Sequence, residues 1–190
     1  MHSQLTEKTF RQYVEDIGDQ YGALTGPVIA AMAAHATALG EACLQISLDN
    51  QIDKLDWQDI TARIGQMAHL KCTLLEWCNQ DLSSTLTLTY DQRSLEGQQK
   101  LLDYAAEVGT LTTQAVQVLK DFRPFMLERL RDDLEITINL LLHTAEASAQ
   151  LLASYLKQSP AATIRQTYTP IQSQLELQVK QLREQAAPPA

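Results

Sequence analysis

Residues 22–43 read "GALTGPVIAAMAAHATALGEAC", a segment with eight alanines in which Glu41 is the only formal charge. Three interpretations compete for this segment: a membrane-spanning helix, a helix packed closely by its neighbours, or the remains of a ligand-binding loop that leads into a helix. Pro27 suits the first position of a helix, where its missing amide hydrogen costs nothing. The segment therefore predicts an inner helix over residues 27–48, preceded by the irregular turn "GALTGP".

The membrane interpretation fits the length of this segment but not its chemistry. A transmembrane helix needs about 20 mostly apolar residues, and residues 21–40 match that length. They include glycine, threonine, proline and histidine, with no aromatic belt and no basic flank. The N-terminus lacks the basic and apolar regions of a secretory signal. We therefore expect no membrane partner and a cytoplasmic location.

Chain length indicates the number of domains, and net charge indicates which partners are disfavoured. The chain has 190 residues, enough for one domain with a substantial core, and we expect one helical domain over 1–185 and a flexible tail over 186–190. Its 15 basic and 23 acidic residues give a net charge of −8. This charge repels phosphate backbones, so we expect no nucleic-acid partner.

Hydrophobic residues recur every three or four positions through most of the chain, which is the pattern of amphipathic helices. Pro124 marks a restart between two of these patterns, and Pro170 is expected to kink or split the last one. The sequence therefore predicts an all-α fold of about six long helices in an orthogonal or bundle arrangement. The patterns cover 5–17, 27–48, 56–83, 95–122, 125–157 and 161–185.

The pattern over 125–157 carries two apolar stripes, which predicts a central helix. Together with the Ala-rich helix it offers more apolar surface than a six-helix monomer readily buries, so we expect a homodimer with an isologous interface. The first stripe is Leu130, Leu134, Ile138, Leu141, Ala145 and Leu152, and the second is Ile136, Leu140, Ala147 and Leu151.

Cysteine and histidine spacing gives no metal signature. Cys43, Cys72 and Cys78 lie within helical patterns without CxxC spacing, so we expect reduced thiols that fill the core as small apolar groups. Histidines do not occur in i, i+4 pairs, so we expect no bound metal. His35 has two interpretations, a ligand-binding residue or a core histidine bonded to a backbone carbonyl.

The order of the elements resembles the cyclodeaminase domain of the formiminotransferase-cyclodeaminase family, from "TFRQYVEDIG" to "IQSQLELQVKQLREQ". Members of that family carry a Pro-Gly-Gly-Gly-Ser/Ala loop before an Ala-rich helix, and residues 23–26, "ALTG", keep only Gly26 of it. The family's D-x-x-x-F motif corresponds to "DLSST", with Asp81 kept and Thr85 in place of the aromatic residue. Its Ser-Asp motif corresponds to Arg131 and Asp132 in "RLRDDLE". A later Asn-Val and Asp are absent from "LLASYLKQSPA".

This resemblance implies an intertwined, all-α homodimer that acts on a tetrahydrofolate derivative. The reaction would be cyclisation of 5-formimino-tetrahydrofolate with loss of ammonia, or hydration of the methenyl form. Asp81 and Asp132 would be the catalytic acids, because both reactions need a proton donor or acceptor beside a pocket for a flat pterin. The ligand would contact the start of the Ala-rich helix, at Thr25, Gly26, Pro27 and His35.

Each candidate acid also has a plain structural interpretation. Asp81 follows an inward apolar stripe, where burial would raise its pKa, or it lies in water beyond the end of its helix. Asp132 belongs to a solvated acidic turn or to the site. His143 could move a proton, but a separation of eleven residues on one helix puts it about 16 Å from Asp132.

Loss of the glycine loop predicts absent or greatly reduced turnover, because Leu24 and Thr25 replace glycines that allow φ > 0 and leave space for a ligand. The main alternative is a non-catalytic helical dimer of the same fold that binds another partner. A third possibility is an unrelated helical adaptor.

Overall fold

The computed structural model describes residues 9–19, 25–50, 57–80 and 94–186. Within these ranges the chain forms six α-helices, two short 3₁₀ turns and no strand, which confirms the predicted all-α class. The helices are α1 (Phe10–Asp19), α2 (Thr25–Asn50), α3 (Trp57–Cys78), α4 (Leu95–Phe122), α5 (Arg131–Gln158) and α6 (Ala162–Ala186).

Helix α4 has the bounds that its apolar pattern predicts. The hydroxyl of Ser94 caps its first turn by accepting a hydrogen bond from the Gly97 amide at 3.1 Å. The helix ends before Pro124, which lies in the first 3₁₀ turn. A second 3₁₀ turn follows at Glu128–Leu130, so α5 begins at Arg131 and not at residue 125 as predicted.

Helix α2 lies inside the bundle, packed against α3, α4 and α5. Fourteen of its 26 residues are buried, and the side chains of Ala30 and Ala33 are fully inaccessible to solvent. At Gly40 an added Cβ would lie 2.8 Å from a methyl carbon of Leu119, so any larger residue would require the Leu119 side chain to move. The alanines therefore serve close packing on several sides.

By length and composition α2 could also cross a membrane, with a mean hydropathy of 1.3 over its most apolar window. However, 61% of that window is buried inside the protein. A core helix of a soluble bundle passes the same test. The packing of α2 accounts for its apolar composition without a bilayer.

Helix α4, which packs against α2, α3, α5 and α6, holds the central position that the sequence suggested for the 125–157 segment. In α5 the first predicted stripe is buried, with Leu134, Ile138 and Leu141 fully covered. The second stripe is not covered within one chain, because Ile136 and Leu140 are exposed. The expected homodimer stays a prediction.

Several predicted details differ from the structure. Helix α3 ends at Cys78 and not near residue 83, and Asp81 lies outside the described residues. Pro170 neither ends nor splits α6. It lies on the exposed side of the helix, where the carbonyl group left without a donor can bond water. Cys72 is exposed and does not fill the core, whereas Cys43 and Cys78 are buried free thiols.

The chain ends differ little from expectation. Helix α1 contains Gly18 and extends to Asp19, whereas the predicted start of this helix, residues 5–8, lies outside the described residues. Ala186 is the last residue of α6. The remaining predicted tail, 187–190, also lies outside the described residues.

Candidate ligand-binding site at the start of α2

Gly26, the second residue of α2, is buried against the ring of Tyr104 from α4. A Cβ atom added at Gly26 would lie 2.9 Å from Cε1 of that ring and 3.4 Å from Cδ1. Real Cβ atoms essentially never approach a ring this closely, so the ring or the helix would have to move. Gly26, the one glycine kept from the family's loop, therefore brings an aromatic ring against the first turn of α2.

Side chains from several helices meet at this ring. Tyr104 is 1% exposed, and the ring of Trp77 from α3 packs edge-on against it, with ring centroids 5.3 Å apart and an interplanar angle of 86°. Tyr13 of α1, Cys78 of α3 and Tyr155 of α5 are close enough to influence its ionisation. We call Tyr13, Trp77, Cys78, Tyr104 and Tyr155 the aromatic cluster.

Two hydroxyl groups of the aromatic cluster are buried without a hydrogen-bond partner. They belong to Tyr13 and Tyr104, and they are two of only three such side-chain polar atoms among the described residues. An unsatisfied buried polar group costs about 1–3 kcal/mol, and the large majority of buried polar atoms have a partner. These two hydroxyls therefore keep hydrogen-bonding capacity that no described residue uses.

Tyr13 and Tyr104 remain protonated at neutral pH, because burial raises the pKa of both hydroxyls. Burial, assisted by the nearby Cys78 thiol, raises the pKa of Tyr13 to about 12. Burial raises the pKa of Tyr104 further still, and it also raises the pKa of Cys78. The cluster therefore offers neutral O–H groups, which can donate hydrogen bonds to a carbonyl oxygen or a ring nitrogen.

Two further predicted ligand residues lie beside Gly26. Thr25 is the first residue of α2 and is exposed, and Pro27 is buried in the same turn. The first amides of a helix have no partner within the helix and can bind a polar or anionic group. The first turn of α2 and the aromatic cluster thus form one candidate site.

His35 lies outside this site. It follows Gly26 by nine residues, which places it about 14 Å further along α2. Its Nδ1 donates to the carbonyl oxygen of Ala31 at 2.7 Å, the bond expected in the non-ligand interpretation, although the side chain is exposed and does not lie in the core. The ring lines a groove between α2 and α5.

Asp132 lies near the opposite end of α2 from Gly26. Asp132 is exposed in the first turn of α5. This turn lies near the C-terminal half of α2, since the neighbouring Asp133 is the second cause, behind burial, of the raised pKa of Cys43. Cys43 follows Gly26 by 17 residues, about 25 Å along the helix. One chain therefore does not bring Asp132 to the start of α2.

Of the two remaining candidate residues, the structure describes His143 but not Asp81. His143 is exposed, and its Nδ1 donates to the Asn139 carbonyl oxygen at 2.8 Å. Asp81 follows Gln80, the last described residue after α3, so its position is not described. Within the described ranges, no group of three or more His, Cys, Asp or Glu side chains is arranged to hold a metal ion.

Sequence reasoning missed Tyr13 and Tyr104 as candidate ligand residues. The available signal was a phenol hydroxyl on the inner side of a helix, where an apolar residue would have needed no partner. Trp77 is half-buried against the core.

Comparison with known proteins identifies the class of fold. No protein-family model and no curated protein sequence matches the chain. The fold is similar to that of an all-α cyclodeaminase. The crystal structure of formiminotetrahydrofolate cyclodeaminase from Thermotoga maritima superposes with a TM-score of 0.80 over 95% of each chain, at 15% sequence identity. At this identity the likeness shows the fold.

Proposed function

We propose that this protein binds a tetrahydrofolate derivative at the first turn of α2, in the cytoplasm, and that any cyclodeaminase or cyclohydrolase turnover is greatly reduced. One observation carries the proposal: the ring of Tyr104, whose buried hydroxyl has no partner, packs against Gly26 and Trp77, in a fold similar to that of a folate enzyme. The second unpartnered hydroxyl, of Tyr13, is near enough to Tyr104 to influence its ionisation. Aromatic rings suit a flat pterin, and the hydroxyls would fix its orientation.

The neutral tyrosines also suit the two reactions in chemical terms. Ring closure with loss of ammonia requires a proton for the leaving nitrogen, and hydration of a methenyl group requires a water molecule to lose a proton. A protonated phenol can supply a hydrogen bond to either centre, but its raised pKa makes it a poor base near neutral pH. A carboxylate must therefore provide the base, and Asp81 is the proposed residue. Asp132, the other candidate carboxylate, lies near the opposite end of α2 and does not reach this turn from the same chain.

The replaced loop supports reduced turnover. Leu24 and Thr25 stand where the resembled family uses glycine, and side chains there restrict the backbone and fill ligand space. The same replacements support the second candidate, a non-catalytic helical dimer that has kept the fold for binding. Turnover separates the two functions, because the second predicts ligand binding or assembly without chemistry.

Turnover can be measured through the absorbance of methenyl-tetrahydrofolate, which changes on hydrolysis. We expect a rate far below that of an active cyclodeaminase, and Asp81→Asn should abolish what remains because an amide cannot exchange the proton. Robust turnover by the wild-type protein would contradict the reduced-site proposal. Unchanged turnover in Asp81→Asn would remove Asp81 from the chemistry.

Binding can be measured separately by calorimetry with 5-formyl-tetrahydrofolate as a stable probe. We expect Tyr104→Phe to weaken binding about tenfold, the effect of losing about 1.4 kcal/mol from a hydrogen bond. Tyr168→Phe is the matched control, because the Tyr168 hydroxyl is already bonded to Asp103 at 2.6 Å. Equal affinity in wild type and Tyr104→Phe would exclude the cluster as the folate site.

A further inference from the structure

We propose that helix α1 is a lid over the aromatic cluster and that it opens, ahead of the rest of the bundle, to admit the ligand. This inference rests on the proposed ligand site, because it concerns how a molecule reaches that site. The unpartnered hydroxyls of Tyr13 and Tyr104 are both buried. A ligand therefore bonds to them only after one element of the cluster moves away from the others.

Tyr13 places α1 on the aromatic cluster. Its ring packs against the core, and it lies near Cys78 and Tyr104. Ile17, one turn further along α1, is also half-buried. The exposed residues of α1 are Arg11, Gln12, Val14 and Glu15. One side of α1 therefore lies on the protein through Tyr13 and Ile17, and the other side is open to solvent.

Polar bonds do not tie α1 to the other helices within the described residues. The side-chain hydrogen bonds of this segment join Thr9 to Gln12, which belong to the same turn. Arg11 and Glu15 take part in no ion pair in the described part of the chain. The contacts that hold α1 on the bundle are therefore mainly apolar, and they are few.

The local sequence of α1 also favours opening. The helix has ten residues, and isolated helices shorter than about 12–15 residues are marginal in water. Gly18 lies within it and lowers its helix propensity. Its last turn contains Asp16 and Asp19 and no basic residue, so carboxylates stand at the end of the helix where the dipole disfavours them. Helix α1 therefore depends on its packing for its stability.

The other helices of the aromatic cluster are held more firmly. Helices α3, α4 and α5 have 22, 28 and 28 residues, and each packs against at least two other helices. Cys78 is the last residue of α3, but backbone hydrogen bonds continue past it: the Gln80 amide donates to the Trp77 carbonyl oxygen at 3.2 Å. Local opening occurs where few apolar contacts oppose it. Helix α1 is therefore the element of the cluster that opens.

Cys43 and Cys78 are a matched pair of probes for this opening. Both are free thiols that are 3% exposed, and burial raises the pKa of both. Cys78 lies near Tyr13 of α1, whereas Cys43 lies within α2, which packs against α3, α4 and α5. Opening of α1 should therefore expose Cys78 and leave Cys43 covered.

The test is the rate at which N-ethylmaleimide modifies each buried thiol of the full chain in a Cys72→Ser background, followed by peptide mass mapping. We expect Cys78 to react at least about 100-fold faster than Cys43, because local opening costs less free energy than unfolding of the bundle. Equal rates for Cys43 and Cys78 would overturn the proposal.

Two substitutions show which element opens. Glu15→Pro should speed the reaction of Cys78 at least about tenfold, because proline strongly destabilises a helix interior, whereas Glu15→Ala, the matched control, should change this rate less than about twofold. Leu175→Ala, in a separate apolar cluster between α5 and α6, should speed the reaction of Cys43 at least about tenfold and leave that of Cys78 unchanged. Far-UV circular dichroism checks that the variants keep their helices. A Cys78 rate that Glu15→Pro does not change would show that α1 is not the lid.

A final measurement adds 5-formyl-tetrahydrofolate to the wild-type and Cys72→Ser chains. A ligand bound beneath α1 and bonded to Tyr13 should hold the helix closed, so the reaction of Cys78 should slow in proportion to occupancy. Absence of protection would count against the proposed folate site and not against opening of α1, which the rates without ligand decide.

Discussion

Tyr104 of α4 and Tyr168 of α6 are both buried tyrosines, but of the two only Tyr168 has a hydrogen-bond partner for its hydroxyl. Tyr168 reaches from α6 and donates to Asp103 of α4 at 2.6 Å. Tyr104, the next residue along α4, points into the aromatic cluster and has no partner. One region uses its phenol to hold two helices together, and the other keeps a phenol unsatisfied at a cost in stability.

Other buried hydroxyls follow the example of Tyr168. Ser159 donates to the side chain of Gln98 at 2.7 Å, and Ser148 donates to the carbonyl oxygen of Ala105 at 2.7 Å. Buried threonines donate to carbonyl oxygens one turn earlier, as Thr112 does to Val108. The bundle therefore satisfies its buried hydroxyls as a rule. The aromatic cluster is a local exception to this rule, because the hydroxyls of Tyr13 and Tyr104 have no partner.

Of the substitutions in this comparison, Gly26→Ala should lower the free energy of unfolding most. Its Cβ would lie 2.9 Å from a ring carbon of Tyr104, and overpacking of this kind costs about 1–3 kcal/mol. Urea denaturation measures the loss. Gly65→Ala is the control, because nothing lies within 4 Å of its added Cβ, and it should be neutral or stabilising by up to about 1 kcal/mol.

The same substitution can be made in a Tyr104→Phe background. The contact is with the ring and not with the hydroxyl, so the loss from Gly26→Ala should persist there. If Tyr104→Phe removed the loss, the hydroxyl and not the ring would be the group that requires a glycine.

Removing the hydroxyl of Tyr104 and removing that of Tyr168 should change the free energy of unfolding in opposite directions. We expect Tyr104→Phe to raise the free energy of unfolding by about 1 kcal/mol, because an unsatisfied buried group is lost, and Tyr168→Phe to lower it by about 1 kcal/mol, because a hydrogen bond is lost. Denaturation without folate gives both values. A destabilised Tyr104→Phe would show that the hydroxyl has a partner in solution.

The smallest expected effect is a difference between wild type and Tyr13→Phe in how stability falls at alkaline pH. Burial raises the pKa of Tyr13 from 10.0 to about 12, so the unfolded chain releases this proton before the folded chain does. The corresponding stability is complete below pH 10 and is lost as pH rises towards 12. Tyr13→Phe should therefore lose less stability than wild type across this interval, measured by thermal denaturation.

Tyr168→Phe should also flatten this alkaline loss. Burial is the largest cause of its raised pKa too, ahead of Asp103. The partnered and unpartnered tyrosines thus behave alike at high pH and differ near neutrality. Identical alkaline profiles for wild type and both variants would contradict the assigned burial.

Local sequence signals predicted where the helices lie, but they misplaced the ends of some of them. The apolar pattern gave the bounds of α4, because periodicity acts within a few residues. The start of α5 was predicted too early because Pro124 is followed by two 3₁₀ turns before regular helix resumes. Pro170 was expected to disturb α6, yet its exposed position leaves water to satisfy the freed carbonyl.

The candidate site was predictable only in part. Gly26 and its neighbours followed from a resemblance to a known loop, which marks the start of α2. Tyr104 could not be joined to Gly26 from the sequence, because their contact depends on how α2 and α4 pack and not on spacing along one helix. For the same reason, periodicity identified the second stripe of α5 but did not show that one chain leaves it uncovered.

Helix α2 carries the first turn of the candidate site at its start and the exposed side chains of Met32 and Leu39 on its outer side. If folate binds at the first turn and the expected homodimer covers the outer side, both equilibria act on one continuous helix of 26 residues. Thermodynamic linkage then requires that the factor by which folate changes the dimer dissociation constant equals the factor by which dimerisation changes folate affinity. Comparing folate affinity in wild type and in Leu39→Glu, a variant designed to oppose dimerisation, measures whether α2 transmits energy between its start and its outer side.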